Sequence, residues 1–341
     1  MPRFHRVAIC FLAIALSAPA VWAQNDRIFP VTGNPITGKV QTVTKNGIAV
    51  LAGGAEQQIL ANRIEKIMYA GDPAPLTRGR EFALDGQYEM ALEELKKINL
   101  GELRRKLITQ DALYYRLLAE AKLSLVGKGS RATATTNLVG FVQKHSDSWH
   151  YYKAARLLGD LAMAEGKYSM ARSSYGVIGK AAAPEWKVES VYLTSRVQLR
   201  EGQADQAQAG FQKVTEARVD SPQGARLQRL AKAGLVAALG AQGKTDEAIK
   251  LSQNLIAELS PTDNELAARI YNARGRALAQ ADQNEAAIRA YLHTHLMFSS
   301  VPDAHVEALQ ALVQLWPKVG KTDRANEMRQ ILQQTYPGWG G

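Results

Sequence analysis

The chain has 341 residues, with 42 Lys and Arg against 32 Asp and Glu, a single Cys, 46% apolar residues and 7% aromatics. That balance excludes global disorder and leaves ample chain to bury a core. No apolar run reaches the roughly 20 residues of a membrane-spanning helix.

Residues 1–23 carry the features of a secretory signal: basic Arg3 and Arg6, an uncharged apolar stretch over residues 7–16, and Val21-Trp22-Ala23 ahead of a cleavage point after Ala23. An exported chain starting at Gln24 is the expectation, periplasmic or secreted. Cys10 lies inside the apolar stretch, so the mature chain would have no cysteine, which excludes disulfides, thiolate catalysis and Cys-based metal sites. Ile9 is not the small residue that lipid modification of Cys10 would need. Without Arg3 and Arg6 the chain keeps 40 basic and 32 acidic residues, a net charge of +8 that biases it towards acidic partners.

Residues 24–72 read as a small β unit. Residues 37–44 alternate, Asn46-Gly47 is a strong hairpin signal, and Ile48, Ala49, Val50 and Leu51 follow as the return strand. Gly53-Gly54 turns the chain again, and residues 58–60 and 64–69 supply further strands around Asn62-Arg63. Four or five short strands in about 45 residues resemble a bent SH3-like or Sm-like barrel. A unit this small is expected to dock on the rest of the chain.

Residues 73–341 change to a helical texture rich in Ala, Leu, Gln, Arg and Glu, and self-comparison exposes a repeat. Seven pairs stand five residues apart: Gly86 with Ala91, Gly129 with Ala134, Gly166 with Ala171, Gly202 with Ala207, Gly243 with Ala248, Asp282 with Ala287, and Gly320 with Ala325. The glycine suits a left-handed turn closing a first helix, and the small alanine lets a second helix lie close against it. Four residues after the alanine stand Leu95, Leu138, Tyr175, Phe211, Ser252, Tyr291 and Arg329, bulky in most copies and able to fill the gap. Prolines at 184, 222, 261, 302 and 337 read as stops for second helices.

This pattern resembles the tetratricopeptide repeat family over residues 74–337, most closely over residues 152–184. The anchoring alanines lie 43, 37, 36, 41, 39 and 38 residues apart, beyond that family's usual 34, and the copy around Ala134 lacks the early glycine and the aromatic. The expected fold is therefore mainly α: a solenoid of about seven helical hairpins behind a small β-barrel-like unit.

Motifs that carry chemistry are weak. Gly243-Lys244-Thr245 and Gly320-Lys321-Thr322 lack the glycine five residues earlier that a phosphate-binding loop needs, and both sit at repeat turns. His293 and His295 would point about 200° apart on a helix, which disfavours a metal site with His305. The stretch His145-Ser146-Asp147-Ser148-Trp149-His150 reads as a polar loop with Trp149 packed beneath, and no Gly-x-Ser-x-Gly elbow is present. No cofactor, metal or enzymatic activity is expected.

What remains is the concave surface that a repeat solenoid offers. The family resemblance implies that Arg116, Lys153, Arg156, Tyr192, Arg196, Arg269, Asn272 and Arg276 face the groove. The set is overwhelmingly basic, with Glu189 and Asp160 as its nearby acids. It is faintly similar to the carboxylate clamp of chaperone-binding members, although the full clamp pattern is absent from any two consecutive repeats. The expected function is an exported scaffold that takes an acidic peptide or protein segment into this groove. The alternative is an anionic polymer, an envelope polysaccharide before a nucleic acid, bound by the β unit together with the groove.

Overall fold

The computed structural model describes residues 25–260 and 262–337, so the signal-like segment and Gln24 lie outside the described residues. Five antiparallel strands come first: β1 (Asp26–Pro30), β2 (Ile36–Thr44), β3 (Gly47–Ala52), β4 (Ala55–Leu60) and β5 (Ile64–Met68). They pair in the order β4-β3-β2-β1-β5. Register breaks at Phe29/Pro30 and Val40/Thr42 bend the sheet, and Ile28, Val40, Ile48, Val50, Ile64 and Ile67 fill its inner face. Gly53 and Gly54 both take positive φ and make the two-residue turn between β3 and β4.

The preceding turn differs from the sequence expectation by one residue. Thr44 pairs with Gly47, so the turn is Lys45-Asn46. Gly47 instead opens β3 where the chain passes close to β4, and a side chain there would overlap the Ile59 carbonyl. The Asn46 side chain is committed elsewhere, accepting a hydrogen bond from Ala182 N at 3.0 Å.

Fourteen helices follow among the described residues: α1 (Ala74–Leu84), α2 (Tyr88–Leu95), α3 (Lys106–Leu125), α4 (Arg131–Lys144), α5 (Tyr151–Ala164), α6 (Tyr168–Ile178), α7 (Pro184–Arg200), α8 (Ala204–Thr215), α9 (Pro222–Ala241), α10 (Thr245–Ala257), α11 (Asn264–Gln280), α12 (Asn284–Met297), α13 (Pro302–Lys318) and α14 (Thr322–Thr335). They form seven hairpins, and all seven anchoring alanines are buried. A side chain at Gly79, Gly159 or Gly275 would overlap Leu95, Tyr175 or Tyr291, the bulky residue of the same repeat.

Each first helix ends in the same cap, a residue with positive φ followed by an N–H that reaches back five residues, as from Lys167 to Ala162 O at 2.8 Å and Lys244 to Leu239 O at 3.0 Å. Asp282, the repeat position without glycine, adopts φ 56° and is the one non-glycine residue with positive φ among those described. In the second hairpin the capping residue is Gly127 and not Gly129, because Lys128 makes the return bond to Leu123 O. The turn is two residues longer there, and Gly129 lies next to Ser130, whose side chain caps α4.

The prolines act at the other end of the connection from the one expected. Pro184, Pro222 and Pro302 occupy the first turns of α7, α9 and α13, where their missing N–H costs nothing, so they begin first helices and do not end second ones. Pro261 lies outside the described residues, and Pro337 follows α14.

First helices pack side by side along the inner face. One apolar core runs from the sheet to α11, and a second lies in the last hairpins around Tyr291, Leu309 and Leu332. The superhelix closes on itself: Val126 packs on that second cluster, and a side chain at Gly127 would overlap Pro337.

The β unit is fastened along the starting ends of α3, α5 and α7. Glu185, buried at the start of α7, accepts from Asn62 at 3.0 Å and Arg63 at 2.8 Å. Asp26 accepts from Arg105 at 2.7 Å and from Val40 N and Ala70 N, and these bonds hold its carboxyl below the usual range although burial alone would raise it. Under the sheet, Arg80 is fully buried between Asp111 (2.6 Å) and Asp72 (2.9 Å), and His150 Nε2 donates to Asp111 at 2.8 Å. Trp149 packs at a tilt against His150 and donates to Tyr69 Oη at 3.2 Å. The expectation that Trp149 packs inward holds. His150, read as part of a polar loop, is as buried as Trp149.

Candidate functional site

The inner face of hairpins four to seven forms a narrow cleft of about 70 Å³ whose lining includes Tyr192, Arg196, Arg200, Arg269, Asn272 and Arg276. Helical geometry explains the convergence. Tyr192, Arg196 and Arg200 recur every four residues on α7, and Arg269, Asn272 and Arg276 form one stripe on α11. The far wall comes from α13, which presents Asp303 and Glu307. A larger open cavity of about 520 Å³ lies beside Pro73, Ile98 and Leu103, but its Arg105 is committed to Asp26.

Five of the eight expected groove residues therefore meet in one place, and three do not. Arg116 pairs with Glu120 on its own helix. Lys153 donates to Ile64 O at 2.9 Å and lies over the Trp149 ring, so it secures the edge of the sheet and is not offered to the groove. Burial lowers its ammonium pKa to about 8. Arg156 lies 2.5 Å from Glu189 on the neighbouring α7.

The groove is not overwhelmingly basic. Four acids that the sequence reading passed over, Glu185, Glu265, Asp303 and Glu307, lie on the starting turns of first helices, and the last three pair with groove-side arginines. Arg269 donates to Glu265 at 2.9 Å and to Asp303 at 3.2 Å, Arg226 reaches Glu265 at 2.5 Å, and Arg276 pairs with Glu307. Burial pushes the Glu265 carboxyl up, but Arg269 and Arg226 outweigh it and hold it down at about 2. The same contest at Asp303, burial against Arg269 and Arg196, leaves its carboxyl well below the usual range.

The signal that would have found these acids is positional. Lys153, Glu189, Arg269 and Glu307 each stand thirteen residues before the turn position of their repeat; Glu185, Arg226, Glu265 and Asp303 each stand seventeen before it. Charged residues recurring at these two repeat positions mark the inner face, where Arg226 pairs with Glu265 and Arg269 with Asp303 of the next repeat.

Two of the ion pairs are not between neighbours. Arg196 reaches Asp303 at 2.9 Å and Arg200 reaches Glu307 at 2.8 Å, each joining α7 to α13 across the cleft. Asn272 is buried, donates to Ala304 O at 2.8 Å, and leaves its Oδ1 without a donor. Elsewhere His295 Nδ1 and His305 Nε2 lie 2.8 Å apart with Tyr336 Oη on the far side of His305, while His293 stacks on Tyr271. No group of three or more His, Cys, Asp or Glu side chains is arranged to hold a metal ion among the described residues. No helix there is long and apolar enough to cross a membrane.

No family model and no curated protein matches the chain in sequence. Solved structures do match in fold. A tetratricopeptide repeat protein from Parabacteroides merdae superposes with a TM-score of 0.53 at 17% identity, covering 77% of this chain and 93% of that one. A Rap protein complexed with Competence and Sporulation Factor superposes with a TM-score of 0.54 at 12% identity, covering 78% of this chain and 76% of that one. The helical region thus has the fold of a tetratricopeptide-repeat-like solenoid of helical hairpins, preceded by a small antiparallel β unit.

Proposed function

We propose that this chain is an exported, non-enzymatic scaffold that takes an acidic protein segment into the groove of its last four hairpins. The observation that carries the reading is the convergence of Arg196, Arg200, Arg269 and Arg276 on one cleft that also holds Tyr192 and Asn272. Arginine suits carboxylate recognition because its planar fork donates in pairs, and tyrosine supplies rigid contact area at low entropic cost. The neighbour of like fold that is complexed with Competence and Sporulation Factor supports a solenoid of this shape accommodating a partner. The mature chain's net charge of +8 supports the preference for acidic segments.

Acids interleaved with the arginines make the cleft a poor track for an anionic polymer, which needs a continuous basic path. Export rests on the basic-apolar-small pattern of residues 1–23. The test is affinity capture from an envelope fraction at low and moderate salt, with wild type and an Arg196→Gln/Arg200→Gln variant. Saturable capture of a defined protein by wild type, lost in the variant, supports the reading. Capture that vanishes with salt and ignores the variant indicates polymer-like binding through the general field.

A further inference from the structure

We propose that the Asp303 and Glu307 side chains, on the wall formed by α13, stand in for carboxylates of the partner, and that the feature the groove reads is a pair of carboxylates spaced like these two. This rests on the groove being the binding surface. Asp303 and Glu307 are four residues apart on one helix, about 6 Å along its axis at 1.5 Å per residue. Arg196 and Arg200 on α7 have the same spacing, so the two walls are in register and form two parallel sockets. Each carboxylate receives one guanidinium from α7 and one from α11.

The two sets of pairs have different consequences. Those from α11 join adjacent hairpins and persist whether or not the cleft is open. Those from α7 span it, and they lie at its mouth, with the Asp303 side chain 43% and the Arg200 side chain 42% exposed. Ion pairs so exposed are weak, and an incoming carboxylate can replace one pair of acceptor oxygens by another. Asp303 and Glu307 would keep Arg269 and Arg276, so the exchange strands no charge. A segment entering the cleft can also satisfy the orphaned Asn272 Oδ1 with an N–H.

With the α7–α13 pairs in place the cleft encloses only about 70 Å³, so an incoming segment has to part them, and an extended chain, the slimmest form of a polypeptide, needs the least opening. In an extended chain, side chains on one face recur every two residues, about 6.6 Å apart, which matches the socket spacing. The inferred partner therefore carries acidic residues at alternate positions of an extended segment, as Glu-x-Glu. Adjacent acids would point to opposite faces and fill one socket only.

The experiment uses two synthetic peptides of identical composition, one with Glu-x-Glu and one with the two glutamates adjacent, titrated at low salt against the full chain. The Glu-x-Glu peptide should bind wild type about tenfold more tightly than its isomer, and lose that advantage in Arg196→Gln/Arg200→Gln. In Asp303→Asn/Glu307→Gln, which removes the internal competitor, the Glu-x-Glu peptide should tighten by about another tenfold while its isomer gains less. Equal binding of both peptides to wild type, or equal gains in the variant, overturns the inference in favour of general charge attraction. Should the variant fail to fold, the comparison on wild type decides alone. If neither peptide binds while capture of the envelope partner still needs Arg196 and Arg200, the spacing inference fails and the groove reading stands. If capture does not need those arginines, the groove reading itself fails.

Discussion

Arg196 and Asp303 stand 107 positions apart in the chain, on first helices three hairpins apart, and meet at 2.9 Å across the groove. The pair makes the solenoid's inner face a cleft with two walls in place of an open trough. Because both side chains are partly exposed, the pair holds the cleft shut without supplying much stability. Replacing Arg196 and Arg200 by Gln should cost about 0–1 kcal/mol each. Amide exchange in the first turns of α13 should nevertheless quicken, while α9 is unaffected. Unchanged exchange at α13 would show that the contact of Val126 with the last hairpins closes the superhelix alone.

The turn of the sixth hairpin stores strain. Asp282 holds φ 56° where the other six repeats place glycine, and a side chain in that region costs roughly 1 kcal/mol. Asp282→Gly should therefore stabilise the chain by about 0.5–1 kcal/mol, read as a higher thermal midpoint. A lower midpoint would mean that the aspartate side chain stabilises the turn by more than the strain removes.

Close helix contact in the best-formed repeat depends on Gly159. A methyl group there would overlap the Tyr175 ring, whose hydroxyl donates to Asp160 at 2.7 Å and cannot retreat without breaking that bond. Gly159→Ala should cost roughly 1–3 kcal/mol, as overpacked core sites do. Gly140→Ala, on an open stretch of α4, should be neutral or better. Equal effects at the two positions would remove the packing argument.

Acid should act on the junction beneath the β unit through two opposed groups. Burial lowers the His150 pKa to about 4, so the folded state refuses a proton that the unfolded chain accepts below about 6.5, and stability from His150 is lost as pH falls through that window. Burial raises the Asp72 pKa to about 6 despite Arg80, so the folded state takes up a proton first and gains stability as pH falls from 6 towards 4. Each contribution is roughly 3 kcal/mol, and they nearly cancel. Asp72→Asn removes the gain, so denaturant titrations should show the variant losing clearly more stability than wild type between pH 6.5 and 4. Parallel profiles would contradict this assignment.

The parts of the fold legible in the sequence are those set by local rules. Glycine at a left-handed cap and alanine at a helix crossing each act within one hairpin, so the spacing of Gly166, Ala171 and Tyr175 is enough to place them. Proline is ambiguous over short range: with only residues 179–183 between α6 and α7, Pro184 reads equally as a stop or a start. The Asn46-Gly47 turn slipped because Gly47 answers to β4 and Asn46 to Ala182, and neither contact is local. Docking of the β unit was expected from its size, but its fastening through Asn62 and Glu185 spans 123 positions. The groove was half legible. Its arginines follow from helical spacing within one repeat, whereas Asp303 and Glu307 matter because distant hairpins meet.

The most direct test of the groove as the binding surface is photo-cross-linking, with a benzophenone amino acid placed at Met163 in the cleft lining or at exposed Arg329 on α14. With a partner captured from the envelope fraction, the account predicts cross-links from position 163 to an acidic segment of that partner and none from position 329. Cross-links from position 329 with none from 163, for a partner that remains bound, would contradict it.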